Sequence, residues 1–149
     1  MEKLYYSYEM FKNDTLALID SFDTQFDTVI GIARGGLTLA QAISEALEIR
    51  NVQTVQTQLY DKQVKRDCIT VVANCSLQQS QNILIVDDIA DSGETLQNIM
   101  EYFQKEYPTI NFKSATLFYK KSSVYEPNYW IKEATGWIDF FWEVDFLRS

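Results

Sequence analysis

Histidine is absent from the 149-residue chain. That one absence removes Ser-His-Asp and Cys-His nucleophile systems, HExxH zinc sites and ordinary imidazole acid–base chemistry. Any catalysis must run on carboxylates, cations, backbone amides or a bound metal. Cysteine occurs only as Cys68 and Cys75, outside any CxxC or paired zinc pattern, so neither a disulfide framework nor a cysteine metal site is expected. With two prolines and five glycines there is no linker-like stretch, repeat or low-complexity tract to mark a domain boundary. Basic residues are also short, 13 against 21 acids for a net charge of −8, which argues against general nucleic-acid binding. An anionic small molecule would need local positive potential instead. No apolar run approaches the roughly 18 residues of a membrane span, and the opening Met1 to Tyr6 lacks the regions of a signal peptide. The cytoplasm is the expected compartment.

What is present suits one closed core. At 46% hydrophobic residues, positions 1–149 are expected to form a single domain. Phe11, Leu18, Ile19 and Phe22 recur at helical spacing, and Thr28 to Ile32 reads as a buried strand. Leu39, Ala40, Ile43, Ala46 and Leu47 mark a second helix after Gly35 and Gly36. Asn51 to Leu59 alternates like a strand, and the polar, mixed-charge run from Tyr60 to Asp67 reads as a loop. Ile83 to Val86 is the apolar run of a central parallel strand. Leu96, Ile99, Met100, Phe103 and Tyr107 then line one face of a helix with Ser92 as N-cap, ended by Pro108. Phe112 to Tyr119 reads as a further strand, before a tail rich in aromatics. Alternating strands and helices imply an α/β fold with right-handed crossovers and a ligand beyond the carboxyl ends of its strands.

Two turns carry the chemistry. In the first, Asp87, Asp88 and Asp91 crowd between a buried strand and a helix start, followed by Ser92, Gly93, Glu94 and Thr95. Unpaired amides from Asp91 to Thr95, with the Ser92 and Thr95 hydroxyls, would cradle a phosphate dianion. Asp87 and Asp88 at the rim could accept from ribose hydroxyls or order water around magnesium. A plain acidic loop capped by Ser92 leaves three crowded carboxylates without a purpose. In the second turn, Arg34, Gly35 and Gly36 between strand and helix expose amides and one guanidinium, a receptor for pyrophosphate.

The run Ile83 to Leu96 closely resembles the phosphoribosyl pyrophosphate signature of type I phosphoribosyltransferases, with Ser92 where the family commonly has threonine and Glu94 as an unexplained extra charge. The resemblance implies a mainly parallel twisted sheet flanked by helices, with a small base-binding hood contributed by residues 120–149. It also implies binding of phosphoribosyl pyrophosphate by Arg34, Gly35, Asp87, Asp88, Ala90, Asp91, Ser92, Gly93, Glu94 and Thr95, a strained peptide near Arg34 and Gly35, and magnesium at Asp87 and Asp88. The loop with Lys62, Lys65 and Arg66 is similar to the family's catalytic loop, where Arg66, or Lys65 in its place, would meet pyrophosphate. From charge alone that segment reads as a solvated hairpin.

The tail, Gly136 to Glu143, together with Lys120 at a strand end, resembles the bacterial xanthine–guanine branch, as does the segment Tyr5 to Phe22 beside that branch's opening helix. The resemblance implies that Trp137 stacks on a purine, Lys120 donates to the oxygen at position six, and backbone at Ile138 reads position two. Phe140 and Phe141 are expected in the core. Aspartate at position 91 matches 6-oxopurine enzymes and would hold the imidazole proton of the base, acting with Asp87, Asp88 and Arg66 as the catalytic set. The implied activity is magnesium-dependent transfer of phosphoribose to guanine, xanthine or hypoxanthine in purine salvage, by a homodimer or homotetramer. Another base specificity, or a non-catalytic nucleotide sensor on the same fold, remains open from the residues.

Overall fold

The computed structural model describes residues 2–59, 69–73 and 77–148. Its elements run β1 (Lys3–Tyr6), α1 (Tyr8–Asp20), β2 (Thr28–Ile32), α2 (Leu37–Leu47), β3 (Asn51–Leu59), β4 (Ile69–Ala73), β5 (Asn82–Ala90), α3 (Glu94–Glu106), β6 (Asn111–Tyr119), β7 (Lys132–Glu133), β8 (Trp137–Phe140) and α4 (Phe141–Val144). Six strands form the main sheet in the order β4-β3-β2-β5-β6-β7, while β1 and β8 pair separately. Every adjacent pair in the main sheet is parallel except β3 with β4.

Both faces of the central strands are covered, which is why they read as continuous apolar runs. On β5, Leu84 and Val86 pack with α1 and α2 residues such as Phe11, Leu39 and Ile43, whereas Ile83 and Ile85 pack with Leu96, Ile99 and Phe103 of α3. Helices α2 and α3 therefore lie on opposite faces. The chain leaves β2 toward β3 on one side and leaves β5 toward β6 on the other. The strand order reverses between β2 and β5, the position where open α/β sheets form a crevice.

Predicted elements largely coincide with those observed, with informative differences. The first helix begins at Tyr8, and Lys3 to Tyr6 ahead of it is a strand. That strand pairs in parallel with β8, Lys3 opposite Trp137 and Tyr6 opposite Phe140, so the expected C-terminal hood also draws on the N-terminus. Strand β5 runs on to Ala90, which places Asp87 and Asp88 inside it rather than at a rim beyond it. The loop from Tyr60 to Asp67, with Lys62, Lys65 and Arg66, lies outside the described residues, as do Cys68 and Cys75. Helix α3 stops at Glu106, and Tyr107 ahead of Pro108 has left helical geometry with φ −132° and ψ 69°.

Tyr6 fixes the hood to the body. Its ring is fully buried and meets Phe118, Phe140 and Trp142 edge-on, at centroid distances of 5.1, 5.6 and 6.1 Å. Its hydroxyl donates to Asp14 Oδ2 at 2.7 Å, and the same oxygen lies 3.2 Å from Lys132 Nζ. Burial, reinforced by the Asp14 carboxylate, pushes the phenol's pKa well above its ordinary value. One acid on α1 thus joins β1 to the edge strand β7. Asp14→Ala would leave the buried hydroxyl only its longer contact with Met10 O, at 3.4 Å, and unpair Lys132, costing about 2 kcal/mol in urea unfolding. Tyr6→Phe would cost about half as much, because Asp14 keeps Lys132. An unchanged midpoint in Asp14→Ala would show that this network does not hold the hood.

Candidate active site

The carboxyl ends of β2, β5 and β6 lie side by side, and each is followed by a segment singled out in the sequence. After β2, the turn from Ala33 to Gly36 folds back so that Gly36 N–H donates to Ile32 O at 2.8 Å. The Ala33–Arg34 peptide bond is cis. Arg34 is exposed, with no carboxylate within 4 Å of its guanidinium among the described residues.

The turn presses directly on β5. A Cβ at Gly35 would stand 2.8 Å from Asp88 Cγ, and one at Gly36 would stand 3.0 Å from Asp87 Cα. Only glycine permits that approach. Asp88 is 8% exposed beneath it, and its backbone N–H donates to Asp87 Oδ1 at 2.8 Å. Burial first, then the charge of Asp88, holds the Asp87 carboxyl well above the usual carboxylate range. Asp88 is pushed up to about 6, chiefly by burial, with the charge of Glu143 adding to it and the Asp87 hydrogen bond opposing. Glu143, on α4, was given no role by the sequence; only the fold brings the hood's acid toward β5.

After β5, the chain turns through Gly93, whose φ of 85° is left-handed. Gly93, not Ser92, is the N-cap of α3, and it offers no side-chain bond. Ser92 Oγ instead accepts from the Glu94 N–H at 3.2 Å, one step inside the turn. The correction matters because, among the described residues, the amides of Ser92, Gly93 and Thr95 donate to no other backbone group. Those orphan donors at a helix start are a receptor for an anion. Glu94, unexplained in the sequence, lies in the first turn of α3, where its charge complements the helix dipole.

The turn is braced from β6. Val124 N–H donates to Ser92 O at 2.8 Å, Lys120 N–H donates to Ala90 O at 3.0 Å, and a Cβ on Gly93 would lie 2.8 Å from Tyr125 N. Lys120 Nζ stands 3.5 Å from Asp91 Oδ1, both side chains being more than half exposed. Asp87, Asp88, Ala90, Asp91, Ser92, Gly93 and Thr95 line one hollow of about 150 Å³. Larger hollows of about 470 and 480 Å³ lie beside Glu45 and Arg50, and beside Phe22 and Leu47. Neither gathers orphan amides with paired carboxylates, so the smaller hollow is the chemically equipped one.

Trp137 and Ile138 stand on β8, outside that hollow. Trp137 is 57% exposed, and its Nε1–H donates to Asp139 Oδ1 at 2.8 Å, a partner the sequence did not single out. Ile138, Phe140 and Phe141 pack on the core cluster, as expected for the two phenylalanines.

As a metal site, Asp87 and Asp88 supply two hard oxygen donors whose desolvated charges a cation would compensate. No group of three or more acids, histidines or cysteines among the described residues could hold a metal ion. A cation here would complete its shell from water and substrate oxygens, the habit of magnesium.

Residues 12–148 match the phosphoribosyl transferase domain family. The chain belongs to that family. This phosphoribosyltransferase is 32% identical over 148 residues to the xanthine-guanine phosphoribosyltransferase of Cereibacter sphaeroides, covering 93% of this chain and 85% of that one. Its fold superimposes on the Helicobacter pylori xanthine-guanine-hypoxanthine phosphoribosyltransferase with a TM-score of 0.88 and 32% identity, over 97% of this chain and 96% of that one. A purine phosphoribosyltransferase from Pyrococcus horikoshii gives a TM-score of 0.85 at 26% identity, over 100% of this chain and 99% of that one. The type I phosphoribosyltransferase fold expected from the sequence is the fold observed.

The acid pair makes a stability prediction for this phosphoribosyltransferase. Asp88 keeps its proton in the folded state at pH values where the unfolded chain has lost it, so between about pH 4 and about pH 6 stability falls as pH rises. Asp88→Asn should flatten that slope and raise stability at pH 7 by about 1–2 kcal/mol while reducing activity. Urea titrations at pH 4 and pH 7 check it; an equal slope in variant and parent would contradict it.

Proposed function

We propose that the protein transfers the phosphoribosyl group of phosphoribosyl pyrophosphate to a 6-oxopurine, namely guanine, xanthine or hypoxanthine, releasing the nucleotide and pyrophosphate in purine salvage. The observation that carries this reading is the 3.5 Å approach of Lys120 to Asp91 at the mouth of the phosphate turn. An amine and a carboxylate so placed match the oxygen at position six and the protonated imidazole edge of a 6-oxopurine. The names of the relatives support the same substrate class.

In this reading the terminal phosphate of the sugar sits in the turn of Ala90, Asp91, Ser92, Gly93, Glu94 and Thr95, on the free amides of Ser92, Gly93 and Thr95. Arg34 and the Gly35 backbone take the pyrophosphate. Asp87 and Asp88 accept from the ribose hydroxyls and would hold magnesium, which when bound neutralises charge on the leaving pyrophosphate. The bond from the anomeric carbon to pyrophosphate oxygen breaks as the bond to the purine nitrogen forms on the opposite face. Asp91 takes the imidazole proton, the role left to a carboxylate in a chain without histidine. Lys120 donates to the oxygen at position six, Trp137 stacks on the base, and backbone at Ile138 reads position two. Arg66, or Lys65, would meet pyrophosphate from the loop outside the described residues. The same reading expects one domain acting in the cytoplasm as a homodimer or homotetramer on small-molecule substrates, without nucleic acid. No helix among the described residues is long and apolar enough to cross a membrane.

The test is pyrophosphate release with guanine, xanthine and hypoxanthine, with and without magnesium. Turnover with at least one of them, dependent on magnesium, is expected, and Asp91→Asn should lower kcat by about tenfold or more with an unchanged Tm. Near-normal turnover in that variant would remove Asp91 from its role. Adenine or orotate as best substrate would overturn the base assignment, and tight phosphoribosyl pyrophosphate binding without turnover would mark a sensor.

A further inference from the structure

The geometry points to Asp139 as a positioning residue that holds the Trp137 indole in a stacking orientation before any base arrives; this rests on the reading of Trp137 as the base platform. The alternation of β8 sets up the contact. Ile138 and Phe140 turn into the core cluster, which leaves Trp137 and Asp139 together on the other face of the strand. The backbone beneath them is anchored, since Trp137 N–H donates to Glu2 O at 2.9 Å and Asp139 pairs with Tyr5.

The three tryptophans differ in a telling way. Trp130 lies 5.0 Å from the Tyr119 ring and donates to Glu126 at 3.0 Å, whereas Trp142 stacks on Phe140 at 4.7 Å. Trp137 has its edge tied to Asp139 at 2.8 Å, yet among the described residues no aromatic ring lies against its faces. An indole fixed at its edge and exposed on its face has the form of a stacking platform. A carboxylate acceptor makes the tie a charge-assisted one. Among the described residues no lysine or arginine lies within 4 Å of Asp139 to compete for it. A side chain ordered in advance does not lose its rotational freedom when the ligand binds, so the benefit should appear in affinity for the base.

The experiment uses the full chain and its indole N–H signals in proton–nitrogen correlation spectra, with the Trp137 signal assigned through Trp137→Phe. Asp139→Ala should move that signal and raise KM for the purine base about fivefold, with kcat and KM for phosphoribosyl pyrophosphate within about twofold. Asp139→Asn keeps an oxygen acceptor and should restore most of the loss. In a Trp137→Phe background, Asp139→Ala should add nothing further, because its partner is gone. Should GMP shift the Trp137 signal of the parent while Asp139→Ala leaves base KM unchanged, or should the two substitutions prove additive, the role of Asp139 is overturned and the platform stands. A parent Trp137 signal that saturating GMP does not move overturns both.

Discussion

The contact between a glycine turn and an acidic strand end governs this molecule. Gly35 and Gly36 bring the backbone after β2 to within side-chain distance of Asp88 and Asp87 on β5, where no residue with a Cβ could follow without displacing them. The approach puts the turn that carries Arg34 beside two carboxylates, and it does so where the sheet's strand order reverses. It also desolvates the acids, whose raised proton affinity is the electrostatic cost of the arrangement. Burying like charges side by side opposes folding. Such a pair fits a site completed by a cation and a polyhydroxylated, phosphorylated ligand better than it fits a structural role.

The other half of the site arrives by a longer route. The chain's two ends meet as β1 and β8, and Tyr6 packs this small sheet onto the body through aromatic edges and a hydrogen bond to Asp14. Through that docking, Trp137 is held exposed on β8 and the charge of Glu143 is brought near Asp88. The Lys120–Asp91 pair then links the strand-end amine to the phosphate turn. Base recognition, on this account, depends on packing at the far side of the hood as well as on the residues that would touch the base.

The central strands of the main sheet were legible because they are apolar on both faces, and the helices because they carry a clear period; the edge strands β4 and β7 were not read. The turn after β5 was legible as a motif, though Glu94, named with it, does not line the hollow. Its cap was not. Ser92 has the chemistry of an N-cap, but Gly93 takes the left-handed φ and shifts the hydroxyl one position upstream, a choice that backbone conformation makes rather than side-chain type. Strand β1 was not read because Leu4, Tyr5 and Tyr6 have no local period of their own; their partner lies at the opposite end of the chain. The contacts of Glu143 with the field of Asp88, and of Asp139 with Trp137, depend on how α4 and β8 sit, so pattern alone could not find them.

The central claim is that the turn from Ala90 to Thr95 receives the terminal phosphate of the sugar. A crystal structure with GMP tests it most directly. The account predicts the nucleotide's phosphate within hydrogen-bonding distance of the Ser92, Gly93 and Thr95 amides, with the ribose hydroxyls at Asp87 and Asp88. A nucleotide bound elsewhere, with that turn empty, would contradict it.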